Sequence, residues 1–240
     1  VLFFTIITIL IVNHINSVSA TEDAKTDLGK SIDELKKVLE HEPSNVDVHY
    51  YLGLAYHDNG MVSEAIDELN KTLALDQNYV NAYFHLGTIH TSQGNIDSAI
   101  DIFKKLLQVD ATNASAEYNL GFLYNEKGLI DNAIAAYKKA IQIKPDYHQA
   151  LNNLGIIYVN KGLLDNAVAS YTKAINANTE YAESYYNLGT VYLEQGQLDK
   201  AISHLEESTA LKPDFAEAYY SLGVAYRGKG MPDEAITALK

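Results

Sequence analysis

The 240-residue chain contains no cysteine, no tryptophan and only 4 prolines, and its 18 Lys plus Arg stand against 31 Asp plus Glu, a formal net charge of −13 at pH 7. Without cysteine there are no disulfide staples, thiolate zinc sites, iron–sulfur clusters, c-type haem attachment or cysteine nucleophile. Redox and thiol chemistry are largely closed to it. The deficit of basic residues speaks against nucleic acid as a ligand, because attraction between Lys or Arg and phosphate supplies most of that affinity. With 47% hydrophobic residues and 14 glycines, a collagen-like or disordered chain is excluded as well.

Charge is also missing from the first 20 residues. Val1 to Val12 read VLFFTIITILIV, followed by the polar stretch Asn13 to Ser17 and the small-residue end Val18-Ser19-Ala20. Twelve apolar residues are too few for a bilayer core, which needs about 20, and the pattern predicts an export signal cut after Ala20. Residues 1–20 are thus read as a signal peptide, or as an N-terminal anchor if uncut. The protein is expected in the periplasm, at the cell surface or secreted, with membrane contact only through residues 1–20.

What is present is a period of 34. Gly53, Gly87, Gly121, Gly155, Gly189 and Gly223 fall in register, each preceded by Leu, and two further series keep the spacing: Gly60 to Gly230 and Ala65 to Ala235. Counting Val46 as position 1, the retained positions 4, 7, 8 and 11 mark one stripe of a helix with 3.6 residues per turn. Helix A is expected over about positions 1 to 14. Gly at 15 ends it in the left-handed region, and the acid or polar residue at 18 (Ser63, Asp97, Asp131, Asp165, Asp199, Asp233) opens helix B. Gly at 8 and Ala at 20 let the two helix backbones approach, with bulky residues at 11 and 24 beside them. No hairpin of this size buries its own stripe, so the units must stack.

These residues resemble the tetratricopeptide repeat (TPR) family, whose pattern has an aromatic at 4, Leu-Gly at 7 and 8, Tyr at 11, Ala at 20, an aromatic at 24, Ala at 27 and Pro at 32. The resemblance implies an all-α fold, a right-handed α-α superhelix of antiparallel helix pairs. It divides the chain into a leading half repeat of helix B type (21–45), five full repeats (46–79, 80–113, 114–147, 148–181, 182–215) and a partial sixth (216–240). Departures are Gln77, Ala111 and Thr179 for proline at 32, Glu117 and Leu151 for the aromatic at 4, and His90 for Tyr at 11.

No catalytic constellation assembles. Ala24-Lys25-Thr26-Asp27-Leu28-Gly29-Lys30-Ser31 fits a relaxed phosphate-loop pattern, but such a loop follows a buried strand and opens a helix, and this segment carries the register of a leading B helix. Of the histidine pairs on one helix, His49 and His57 are eight apart and His85 and His90 five apart. Ligand pairs on one face sit three or four apart. No metal and no cofactor are expected, and no enzyme activity unless the chain continues beyond residue 240.

The face of helix A outside the packing stripe comprises positions 2, 5, 6, 9, 12 and 13, which the family resemblance places on the concave side. Position 5 reads Tyr50, Phe84, Tyr118, Asn152, Tyr186 and Tyr220, an aromatic ladder that serves either a ligand or packing between neighbouring A helices. Position 6 includes Asn119, Asn153 and Asn187. An amide can donate to a peptide carbonyl and accept from a peptide N–H, and the series resembles the asparagine ladder in the repeat domain of O-linked N-acetylglucosamine transferases. Asp47, Asp58, Glu126, Glu183, Glu194 and Glu217 against Arg227 give this face an acidic balance, suited to a neutral or basic protein or peptide. The leading expectation is a non-catalytic, exported scaffold that binds an extended segment in this groove. The alternatives are the substrate-recognition arm of a larger enzyme, for example a glycosyltransferase, extending past Lys240, and a self-assembling structural solenoid.

Overall fold

A computed structural model of the chain describes residues 22 to 239, with side chains from residue 29 onward; the expected signal, residues 1–20, lies outside the described residues. These form thirteen α-helices and no strand, in two compact units divided between Ala111 and Thr112. The first unit holds α1 (Glu22–His41), α2 (Val46–Asp58), α3 (Val62–Leu75), α4 (Val80–Ser92) and α5 (Ile96–Val109). The second holds α6 (Ala114–Glu126), α7 (Ile130–Ile143), α8 (His148–Asn160), α9 (Leu164–Ala177), α10 (Ala182–Glu194), α11 (Leu198–Leu211), α12 (Ala216–Gly228) and α13 (Pro232–Ala238). Within each unit every helix packs on the next along the chain, and in the second unit the A helices α8, α10 and α12 also touch in sequence. Each unit is a stretch of helical solenoid.

Every A helix from α2 to α12 ends in the same way. The position-15 glycines, Gly60, Gly94, Gly128, Gly162, Gly196 and Gly230, have φ between 71° and 79°, the left-handed region that glycine enters without a Cβ clash. The amide after each glycine bonds back to the carbonyl at position 11, as in Met61 N to Tyr56 O and Leu129 N to Tyr124 O, both 2.8 Å. This closes orphan carbonyls of the helix end. The B helix then opens one residue earlier than expected, at position 17. The position-18 acid is therefore not the cap: Asp131, for example, lies in the first turn of α7 while Leu129 holds the cap position with no side-chain bond. A carboxylate there still meets the positive end of the helix dipole. In the second unit it also reaches a lysine of the next repeat, Asp131 to Lys161 at 3.3 Å and Asp199 to Lys229 at 2.6 Å.

The position-8 glycines let the helix backbones approach as expected, a Cβ on Gly53 or Gly189 lying 3.3 Å from the carbonyl oxygen of Ala65 or Ala201. They also admit the position-24 side chain: a Cβ on Gly121 would lie 2.7 Å from the Tyr137 ring, and one on Gly155 2.5 Å from Tyr171. Tyr137 and Tyr171 are among the largest fully buried side chains. The repeats lacking proline at 32 keep their turns, and the second and third repeats form the same helix pairs as the rest. The phosphate-loop-like segment is continuous helix within α1, which leaves no loop to wrap a phosphate. Ile32, Leu35 and Val38 of α1 are buried with Val48, Leu52 and Leu69 in one core. Among the described residues no helix is long and apolar enough to cross a membrane.

Candidate protein-binding face

The position-5 aromatics are held by a partner that the period of 34 conceals, the residue at position 34 of the same repeat. Tyr50 lies 4.9 Å from Tyr79, Tyr118 stacks on Tyr147 at 5.0 Å and 26°, and Tyr186 lies 4.9 Å from Phe215, all between ring centroids. Tyr79, Tyr147 and Phe215 occupy the cap position of the following A helix and make no side-chain cap bond. Where position 34 is Asn113, its side chain instead accepts from the Ala116 amide at 3.0 Å and caps α6. An aromatic at this position gives up a cap of about 0.5–2 kcal/mol for a ring contact of about 0.5–1.5 kcal/mol plus apolar burial.

Of the other three position-5 residues, two have other partners. Phe84 meets Phe103 and His85 edge-on, at 6.0 and 6.1 Å. Asn152 is only 3% exposed, and its Oδ1 accepts from Ser184 Oγ at 3.1 Å and Asn187 Nδ2 at 3.0 Å. Its repeat's Tyr181 turns to His148. Exposure along the ladder is thus uneven. Tyr50 is 6% exposed and burial pushes its hydroxyl pKa up to about 12, whereas Tyr220 is 65% exposed. Tyr220 lines an open hollow of about 530 Å³ with Tyr219, Pro213, Asp214, Thr237 and Leu239.

The position-6 asparagines are half-buried and point their amide nitrogens inward. Asn119 Nδ2 donates to the Ser115 carbonyl at 2.8 Å, and Asn153 Nδ2 to the hydroxyls of Tyr118 at 3.4 Å and Tyr137 at 3.3 Å. Asn187 Nδ2 donates one N–H to Asn152 Oδ1 at 3.0 Å. Burial holds the Tyr118 and Tyr137 hydroxyls well above the usual phenol range, and the bond from Asn153 works in the opposite sense. The three amides are one helical position from the ring ladder, and Asn153 ties the Tyr118 and Tyr137 rings together.

Sequence reasoning passed over two residues of this face. Phe122 and Ile156, at position 9 of α6 and α8, are 38% and 39% exposed. Their signal was available: a large apolar side chain on an A helix outside the packing stripe has nothing within its own repeat to cover it. The acids divide into two groups. Glu183 pairs with Lys212 at 3.0 Å and Asp47 accepts from the Tyr79 hydroxyl at 3.0 Å, while Glu126, Glu194 and Glu217 are exposed on the surface.

His49 and His85 serve the packing. The two ring nitrogens of His49 meet Glu68 Oε2 at 2.6 Å and the Pro43 carbonyl at 3.0 Å. Glu68 in turn pairs with Lys71 at 2.8 Å, so the buried pair joins α2 to α3. His85 lies between Tyr50 and Phe84, and burial holds its pKa below the usual histidine range. Among the described residues no group of three His, Asp or Glu could hold a metal ion. At the first of the two departures from the aromatic at position 4, Glu117 is buried and meets Lys139 at 3.3 Å.

A stack of 34-residue helix pairs with Gly at 8 and 15 and Ala at 20 defines a class, the α-helical repeat solenoids. The comparisons give the family. Tetratricopeptide repeat profiles match residues 146–214 and 192–240, and a TPR repeat profile matches residues 24–60, 87–128 and 123–162. A crystal structure of the MamA protein is 36% identical over 66% of this chain and 87% of that one, with a TM-score of 0.59. The chain belongs to the tetratricopeptide repeat family. Two more distant structures share the fold. One is YrrB, described as a TPR protein with an unusual peptide-binding site, at 21% identity over 77% of this chain and 95% of that one, TM-score 0.62. The other is PilF of Pseudomonas aeruginosa, at 18% identity over 80% and 88%, TM-score 0.71. No curated protein matches the chain.

Proposed function

We propose that this chain is a non-catalytic scaffold that holds an extended segment of another protein along its A-helix face, and that it works outside the cytoplasm after export through residues 1–20. The observation that carries the reading is the second unit's face. Phe122, Ile156 and Tyr220 stand exposed there, beside half-buried amides at 34-residue intervals. Apolar groups left open next to polar ones are what a protein-binding surface requires. The description of YrrB as carrying a peptide-binding site lends the same fold that capacity, and the charge balance of −13 favours a neutral or basic partner.

Hydrogen bonding by the asparagines alone is too weak to hold a partner. Each bond is worth about 0.5–1.5 kcal/mol net, against an association cost on the order of 4–15 kcal/mol. Affinity must come from apolar contacts on Phe122, Ile156 and Tyr220 together with these bonds. The test is capture of partners from the exported fraction by the full chain and by Asn119→Ala/Asn153→Ala/Asn187→Ala combined. The triple variant is expected to lose most of the captured material; full retention counts against the face.

A further inference from the structure

Of the three amides of the second unit, that of Asn153 offers only half of what an asparagine has. The N–H groups of Asn119, Asn153 and Asn187 donate to the Ser115 carbonyl, the Tyr118 and Tyr137 hydroxyls, and Asn152 Oδ1. Their own Oδ1 atoms accept nothing from the protein. Among the described residues no buried side-chain nitrogen or oxygen lacks a partner, so none of these three oxygens is sealed from solvent. A grip on a peptide backbone needs a donor for the carbonyl and an acceptor for the N–H, and at Asn153, whose two N–H groups are both engaged, only the acceptor is on offer.

The surroundings of Asn153 narrow the choice further. Phe122 lies one helical turn beyond Asn119, and Ile156 one turn beyond Asn153, on the same helix faces, and both are exposed. Glu126, one turn beyond Phe122 on the same helix, is exposed. The combination is an amide oxygen, a carboxylate and apolar surface including an aromatic ring.

Resting on the protein-segment reading above, we infer that this part of α6 and α8 takes an arginine side chain of the bound segment. A guanidinium carries five N–H donors and no acceptor, stacks on aromatic rings and pairs with carboxylates. It donates to Asn153 Oδ1 and pairs with Glu126, and its plane and aliphatic stem lie on Phe122 and Ile156. Lysine meets the charge but not the planar stacking.

The experiment is fluorescence anisotropy of three labelled eight-residue peptides, alternating Gly-Arg, Gly-Lys and Gly-Gln, titrated with the full chain. The arginine peptide is expected to bind about threefold or more tighter than the lysine peptide and about tenfold tighter than the glutamine peptide. Asn153→Asp keeps the outward oxygen and lets the two tyrosine hydroxyls donate inward, so it should bind the arginine peptide at least as tightly as the wild type, while Asn153→Ala binds several-fold more weakly. Glu126→Gln and Phe122→Ala change exposed side chains, and each should weaken the arginine peptide several-fold.

Weakening by Asn153→Asp to the level of Asn153→Ala overturns the inference, because it makes the amide N–H the recognised group. Equal affinity for all three peptides, abolished by the triple alanine variant, also overturns it but leaves segment binding standing. Failure of the broader reading is separately visible: no peptide binds, and partner capture survives the triple substitution.

Discussion

Position 8 illustrates how one residue sets the packing of a repeat. Gly155 is a seat for the Tyr171 ring, with 2.5 Å between a built Cβ and the ring, and Tyr171 is 2% exposed, so neither partner can move aside. Gly155→Ala is expected to destabilise the second unit by about 1–3 kcal/mol through overpacking, read from urea unfolding. Gly29, in the interior of α1, has nothing within 4 Å of a built Cβ, and Gly29→Ala should stabilise by about 0.5–1 kcal/mol through helix propensity. The same substitution has opposite signs because one glycine is there for space and the other has no such use. His85 offers a pH-dependent counterpart. Its pKa is lowered by burial and by the nearby charge of His57, with Asp58 acting the other way, and Tyr50 and Phe84 border the ring. The unfolded chain therefore takes up a proton near pH 6.5 before the folded one does. The contribution is complete above that value and is lost as pH falls through it toward the folded pKa. His148 in the second unit shifts the same way, by burial and Lys144. Thermal unfolding should show a lower midpoint at pH 5.5 than at 7.5, and His85→Gln should narrow the gap.

At the scale of elements, the helices, the glycine turns and the stripe that packs were legible because each recurs six times with the same local cause. A left-handed glycine or a stripe at 4, 7, 8 and 11 depends on neighbours within one hairpin. The ring pairs Tyr50 with Tyr79, Tyr118 with Tyr147 and Tyr186 with Phe215 were not legible, because they join the start of one hairpin to the linker after it. Position 34 reads as a loop residue unless the turn of the linker is known. The inward amides of Asn153 and Asn187 were missed for a similar reason. Their acceptors, Tyr118, Tyr137 and Asn152, lie on other helices, and no periodicity indicates which end of an amide is already engaged. The helix-start acids at position 18 were placed one step wrong, since an uncapped Leu129 or Leu163 has no propensity signature of a helix beginning. Such a stack also has a mechanical consequence: each element is stabilised mainly by its neighbours. Leu35 of α1 is fully buried, and Leu35→Ala should cost about 2–5 kcal/mol. Amide hydrogen exchange should rise in α1 to α3 and stay unchanged in α10 to α12, whereas a uniform rise along the chain contradicts nearest-neighbour stabilisation.

At the scale of the molecule, the net charge of −13 and the unpaired Glu126, Glu194 and Glu217 surround the A-helix face with negative potential. Electrostatic attraction sets the rate and salt dependence of association more than its tightness. Partner binding should therefore slow as ionic strength rises from about 0.05 to 0.5 M, with dissociation less affected; a salt-independent association rate contradicts a charged partner. The central claim, that the A-helix face holds another protein, is tested most directly by site-specific photo-crosslinking. A photoreactive residue in place of Phe122 or Tyr220, both exposed on that face, is compared with one in place of Lys173, exposed on the B helix α9. Illumination with the exported fraction should give a covalent adduct to the same partner from the first two positions and none from Lys173. Adducts from Lys173 with none from Phe122 or Tyr220 place the partner on the opposite face and contradict the account.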